Sequence, residues 1–126
     1  MLTEAQILLA LRDCYDPEVP LNVLELGLAE SINLTMDRDA PGAGIPGVPD
    51  RYSVVVKLLR GGRDEAVDVQ LAALVYNRLT GLQELSRIVV DFADGPVWTP
   101  ARITAAGRRT LGLDQPLFPI LNNRMR

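Results

Sequence analysis

The sequence predicts an α+β fold: a two-layer domain whose small mixed sheet of about three strands has helices packed on it, in the order helix-strand-strand-helix-strand-helix. Three observations lead there. Ile32, Leu34 and Met36 alternate with Ser31, Asn33 and Thr35, and Tyr52, Val54, Val56 and Leu58 repeat the same two-residue period, which marks strands with one buried face. Ile88, Val90 and Phe92 repeat it once more. Between the second and third runs, Val67, Leu71, Leu74 and Val75 recur at helical spacing, so a hairpin is followed by a helical crossover, and that combination makes a mixed sheet.

The first element is a helix over residues 3–14. Thr3-Glu4-Ala5-Gln6 reads as a capping box, and Ile7, Leu8, Leu11 and Cys14 then form an apolar face. Pro17 and Pro20 end it and force an extended connection, and Asn22 to Leu26 suit one helical turn before Gly27. Between the first two strands lies Asp37 to Asp50, DRDAPGAGIPGVPD, with three prolines and three glycines in 14 residues. It predicts an irregular, exposed hairpin connection, longer than most, and the simpler reading is a tolerated insertion because loop closure grows only slowly with length. A helix over about 65–79 is closed by Thr80-Gly81, and a short last helix starts at Thr104 and stops at Gly112. Pro116 and Pro119 keep the following residues extended.

One chain of 126 residues suits one domain with a core that needs neither disulfides nor metals. We divide it into a domain over 1–113, with the 37–50 insertion, and an extended C-terminal tail over 114–126. A net charge of −3 gives no overall field to attract nucleic acid or an anionic membrane. No apolar run reaches the ~18 residues that span a bilayer, and a capping box stands where an export signal would have its apolar core. A cytoplasmic location is expected. The single cysteine, Cys14, cannot close an internal disulfide, in keeping with a reducing compartment. With no histidine at all, Ser-His and Cys-His pairs, histidine metal sites and four-ligand zinc or cluster sites cannot be built from one copy.

Several groups of residues invite a chemical reading. Gly42-Ala43-Gly44-Ile45-Pro46-Gly47 spells the dinucleotide motif G-x-G-x-x-G, but it leads through Pro46 and Pro49 into a strand instead of opening a helix, so nucleotide binding is rejected. In Arg60-Gly61-Gly62-Arg63-Asp64, two flexible residues sit between two guanidinium groups ahead of a helix. Arg60 and Arg63 are therefore anion-binding candidates, against the plainer reading of a strand-to-helix turn capped near Asp64. Asp13, Asp16 and Glu18 cluster beside two prolines, too few oxygens for a calcium loop. Cys14, in register with Ile7 and Leu11, is expected to be buried and structural. Thr99 and Pro100 suit the cap and first position of a helical turn, with Trp98 packed on the core.

Three segments carry a family resemblance: LRDCYDPEVPLNVLELGL (Leu11 to Leu28), LLRGGRDEAVDVQLA (Leu58 to Ala72) and GPVWTPARITAAGRRTLGL (Gly95 to Leu113). With D-P-E-x-P, an acidic-L-G-L segment and a late W-T-P in the same order, the chain resembles the SufT/PaaD family of iron–sulfur cluster assembly proteins over about residues 4 to 113. That family usually has a threonine and a P-G-C-P turn in the middle segment. Counting back from Thr80-Gly81 sets Leu58 at the threonine, Arg60-Gly61 at the P-G and Gly62 at the cysteine. In family members that have the thiol, it sits at a helix N-terminus, where thiolate is favoured; Gly62 supplies no sulfur.

The resemblance implies a family pocket made by Asp16, Glu18, Gly61, Gly62, Trp98 and Thr99, with Asp16 and Glu18 facing Gly62 and able to pair with Arg60 or Arg63. It further implies a non-catalytic adaptor for metal–sulfur protein maturation, with a protein partner and no resident metal or cofactor. Two other readings stand beside it: a small-anion or metabolite binding domain using Arg60 and Arg63, and a cluster carrier using Cys14 across a dimer. No enzymatic activity is expected, since no nucleophile–base pair or ligand set is present. The tail carries Leu117, Phe118, Ile120 and Leu121, so it either covers its own domain or docks on a second chain, which makes a homodimer through the tail one expectation.

Overall fold

In a computed structural model of the chain, residues 1–113 are described, and the expected tail over 114–126 lies outside the described residues. The first helix, α1 (Glu4–Leu11), is opened by the predicted capping box: Thr3 accepts from the Gln6 N–H, and the Gln6 side chain accepts from the Thr3 N–H at 2.8 Å. It ends three residues earlier than its apolar spacing suggests. Arg12 is the C-cap, and the Cys14 carbonyl is taken by the Val23 N–H at 2.8 Å while Tyr15 bridges to Asn22, so the chain beyond Arg12 is already paired with the start of the next helix. Asn22 then caps α2 (Val23–Leu26) through its side chain, and Gly27 closes it in the left-handed conformation.

Among the described residues the sheet has three strands in the order β1 (Ala29–Met36), β2 (Tyr52–Leu58) and β3 (Leu85–Phe92). β1 runs antiparallel to β2, with Ile32 opposite Val56 and Leu34 opposite Val54, and β3 runs parallel to β2, with Val54 opposite Ile88 and Val56 opposite Val90. The crossover between the parallel strands is α3 (Glu65–Leu79). After β3 come a single 3-10 turn (Pro100–Arg102) and α4 (Ala105–Leu111), capped by Thr104 and closed by Gly112.

The core forms where α1, α2 and α3 cover one face of the sheet. Ile7, Leu11, Leu21, Val23, Leu71, Val75 and Leu79 pack there with Val54, Val56 and Leu58. Strand β2 alternates as its sequence requires, buried at Tyr52, Val54, Val56 and Leu58 and half-buried between them. Two sequence assignments shift. Met36, in phase with Ile32 and Leu34, is 39% exposed because β1 is an edge strand whose end runs into the insertion loop. Leu74 is 41% exposed, whereas Asp68, one turn before Leu71 and Ala72, is buried. The 37–50 segment is the predicted exposed hairpin connection, with Ala40 its buried residue. No helix among the described residues is long and apolar enough to cross a membrane.

Candidate functional site

Of the residues that the resemblance groups together, Asp16, Glu18, Gly61, Gly62 and Trp98 lie around one turn, at the end of the sheet where β2 stops and α3 begins. Beyond Leu58 the chain is pinned from three sides: the Leu59 N–H donates to Leu28 O (2.8 Å), the Ala93 N–H to Leu58 O (2.8 Å) and the Trp98 N–H to Arg60 O (2.8 Å). The turn Gly61-Gly62 lies on this frame. Gly61 must lack a side chain, since a Cβ there would stand 2.7 Å from Arg63 Nε and 2.9 Å from an Asp68 carboxylate oxygen. Gly62, exposed, has φ +70°, a left-handed conformation that glycine adopts without the strain a larger residue would carry, and a Cβ there would meet Val97 at 3.0 Å.

Arg63 organises the site. Its guanidinium is bidentate on Asp16, with Nη1 donating to Oδ2 at 2.9 Å and Nη2 to Oδ1 at 2.5 Å, while Nε donates to Asp68 Oδ1 at 3.3 Å and Nη1 reaches Glu18 at 3.4 Å. The Asp16 side chain is fully buried and that of Asp68 is 5% exposed. Both carboxylates are satisfied further: Asp16 accepts the Glu18 and Val19 N–H groups at 2.9 Å each, closing its own turn, and Asp68 accepts the Gly61 N–H. Burial pushes the Asp16 carboxyl up, but the bonds from Arg63, Glu18 and Val19 outweigh it and hold the group below the ordinary aspartate value. Asp16 therefore stays ionised at neutral pH.

Trp98 closes the other side. Its indole N–H donates to Leu26 O at 2.6 Å, and its ring lines a small cavity of about 40 Å³ with Val19, Leu26, Leu28, Gly61 and Arg63, enough for about one water. Thr99 stands at the cap position of the 3-10 turn, with Pro100 inside it, but its side chain makes no capping bond; its position, not its hydroxyl, serves the turn.

Of the donors that the anion reading requires, Arg63 is held by three carboxylates and the Ala66 N–H at the start of α3 is taken by Asp64 at 3.0 Å, while exposed Arg60 lays the face of its guanidinium on Phe92, 4.6 Å from the ring centroid. Three acids around two guanidiniums leave this turn without surplus positive charge. The acidic residues offer no better metal site. Asp16 and Asp68 point their oxygens at Arg63, Asp13 pairs with Arg78 at 3.0 Å, and no group of three or more potential ligands converges among the described residues. Cys14 is 3% exposed, lies beside the carbonyls of Ala10 and Leu74, and burial raises its thiol pKa, the opposite of what a ligand or nucleophile needs.

Asp68 is the functional-site residue that sequence reasoning missed. The signal was present: an aspartate in register with Leu71, Val75 and Leu79 on the core face of a helix needs a partner. A larger concavity lies elsewhere, an open groove of about 760 Å³ at the opposite end of β2, between the insertion loop (Pro41, Val48, Pro49) and the α3–β3 turn (Leu82, Glu84).

No family model matches this chain, and no curated protein matches it. Two examples stand for the solved structures that share its fold. One is a domain of unknown function, DUF59, from Bacillus anthracis, 22% identical with a TM-score of 0.61, covering 87% of this chain and 92% of that one. The other is a conserved hypothetical protein from Thermotoga maritima, 21% identical with a TM-score of 0.63, covering 88% of this chain and 95% of that one.

Proposed function

We propose that this chain is an accessory protein of metal–sulfur centre maturation, of the SufT/PaaD-like kind, acting as a non-catalytic adaptor through protein contacts. The three family-like segments support the reading, and the fold shared with a DUF59 domain along most of the chain is consistent with it. The observation that carries it is the turn itself: a left-handed glycine stands where the resemblance sets the thiol, and Arg63 clasps Asp16 and Asp68 behind it. Cluster and metal are then the client's cargo, and the residues here do not fit them as ligands. What the turn offers a partner is a surface: exposed Gly62, Glu18 and Val97 around a rigid ion-paired base.

The test has two arms. The full chain purified from its native host should bring down a metalloprotein or an assembly factor, and Val97→Glu should release it. Stable, stoichiometric iron and sulfide on the isolated chain after anaerobic reconstitution, with a visible charge-transfer band, would overturn the reading.

A further inference from the structure

We infer that β3 is a dimerisation strand: two copies join edge to edge through it, antiparallel about a two-fold axis at Val89, making one continuous six-stranded sheet.

Among the described residues nothing pairs with the outer edge of β3, which is the last strand of the sheet. Its ladder to β2 ends with the Ala93 N–H on Leu58 O. In a strand successive residues turn their backbone groups to opposite sides, so Arg87, Val89 and Asp91 bond to β2 while Ile88 and Val90 direct N–H and C=O outward. The Phe92 N–H bears this out, turning to the Asp91 side chain at 2.9 Å. An eight-residue edge with Ile88, Val89 and Val90 at its centre, all half-buried and with no proline, is the kind that folded proteins normally pair or blunt. The opposite edge is blunted. β1 carries a register irregularity between Ala29 and Ser31, as β3 does at Ser86, and, Met36 at its end apart, its exposed positions are polar: Glu30, Ser31, Asn33 and Thr35.

The partner is a second copy because the edge complements itself. With Val89 on the axis, Ile88 and the partner's Val90 exchange backbone hydrogen bonds on the core-facing side. On the open face, Arg87 then falls opposite the partner's Asp91, in a non-hydrogen-bonded pair where side chains come closest. Arg87 makes no ion pair among the described residues, and besides accepting the Phe92 N–H, Asp91 meets only Lys57, at 3.7 Å. The neighbouring registers, centred on Ile88 or Val90, set Arg87 against Val89 or Ala93 instead.

A second exposed feature falls on the same axis. On the wheel of α3, Leu71, Val75 and Leu79 face the core, and Leu74 and Arg78 face α1, to which they are tied through Cys14 and Asp13. The opposite flank carries Val69, Ala73 and Tyr76, with Val69 52% and Tyr76 45% exposed, in a stretch from Val69 to Asn77 that holds no charge. Because α3 packs on β3, that flank looks past the sheet edge. A two-fold axis perpendicular to the sheet keeps both helical layers on one side and brings the two flanks together, antiparallel. One operation therefore covers both apolar exposures. It also sets the two Gly62 turns at opposite ends of the joined sheet, so the assembly is bivalent.

Sedimentation equilibrium of the full chain at micromolar concentration should give a dimer. Arg87→Asp or Asp91→Arg alone should raise its dissociation constant about tenfold or more, since each change sets like charges opposite at two symmetric places, and the double swap should restore it. Val69→Glu should yield a monomer with unchanged circular dichroism. A chain that stays monomeric throughout, a dimer indifferent to the charge swaps, or a dimer abolished by deleting residues 115–126 would each overturn the inference.

Discussion

Replacing Arg63 with methionine tests the ion-paired base of the site directly. The change keeps most of the aliphatic stem but leaves the Asp16 and Asp68 carboxylates buried without their cation. Removing one partner of a buried pair typically costs about 3–5 kcal/mol. Here the cost is lower, because Asp16 keeps two backbone N–H donors, Asp68 keeps the Gly61 N–H, and Arg63 is itself 19% exposed; about 2–3 kcal/mol is expected. Against a total stability of about 5–15 kcal/mol, this should lower the melting temperature by roughly 10 °C. The pH dependence has a definite sign. Asp16 is depressed in the folded state, so its contribution is present above the unfolded value near ~3.9 and is lost as pH falls through the folded value. The gap between wild type and Arg63→Met should therefore be full at neutral pH and shrink as pH drops below about 4. Urea titrations followed by Trp98 fluorescence and far-UV circular dichroism read both quantities. A penalty under about 1 kcal/mol at neutral pH, or a gap that does not change on acidification, would refute the account of the clasp.

Three other perturbations each probe a single contact. Gly62→Cys forces a side chain onto a residue at φ +70° and should cost about 1–2 kcal/mol in denaturation; if the alignment with the family thiol is right, it should also increase the iron retained after anaerobic reconstitution, and no gain would count against that alignment. Cys14, 3% exposed and with its pKa raised by burial, should react with a thiol reagent only as the chain unfolds, so rapid labelling of the native protein would show the burial to be wrong. Trp98→Phe deletes the indole bond to Leu26 O and should destabilise by about 1 kcal/mol; an unchanged urea midpoint would mean that the bond contributes nothing.

The fold was legible because its signals are local. Alternation at Tyr52, Val54, Val56 and Leu58, the capping box at Thr3 and the left-handed glycines that close α2 and α4 depend on near neighbours in sequence, and each predicts its element within a few residues. What shifted depends on tertiary placement. Helix α1 stops at Leu11, although Cys14 continues its apolar spacing, because Tyr15 is drawn into a bridge with Asn22. Met36 keeps strand phase but lies at the end of an edge strand, so phase alone overstates its burial.

The site was legible as a neighbourhood but not as a circuit. Asp16, Glu18, Gly61, Gly62 and Trp98 can be grouped through the three family-like segments, yet no local pattern says which arginine the acids take, since Arg60 and Arg63 flank the same two glycines. Geometry decides it. The Arg60 carbonyl is held by Trp98 and its guanidinium stacks on Phe92, outside the core, whereas Arg63, one step beyond the left-handed Gly62, is turned back toward Asp16 and Asp68. The left-handed glycine and the clasp are therefore one device: Gly62 reverses the chain so that Arg63 can reach both acids, and Asp68 fixes Gly61 so that the reversal is held. A clasp of this kind joins the α1–α2 connection to the start of α3, with all three nitrogens of the Arg63 guanidinium bonded to carboxylates. Such a base stiffens the surface above it, whose shape is set by Gly62, Val97 and Glu18, and it is this shape that the adaptor reading assigns to a partner.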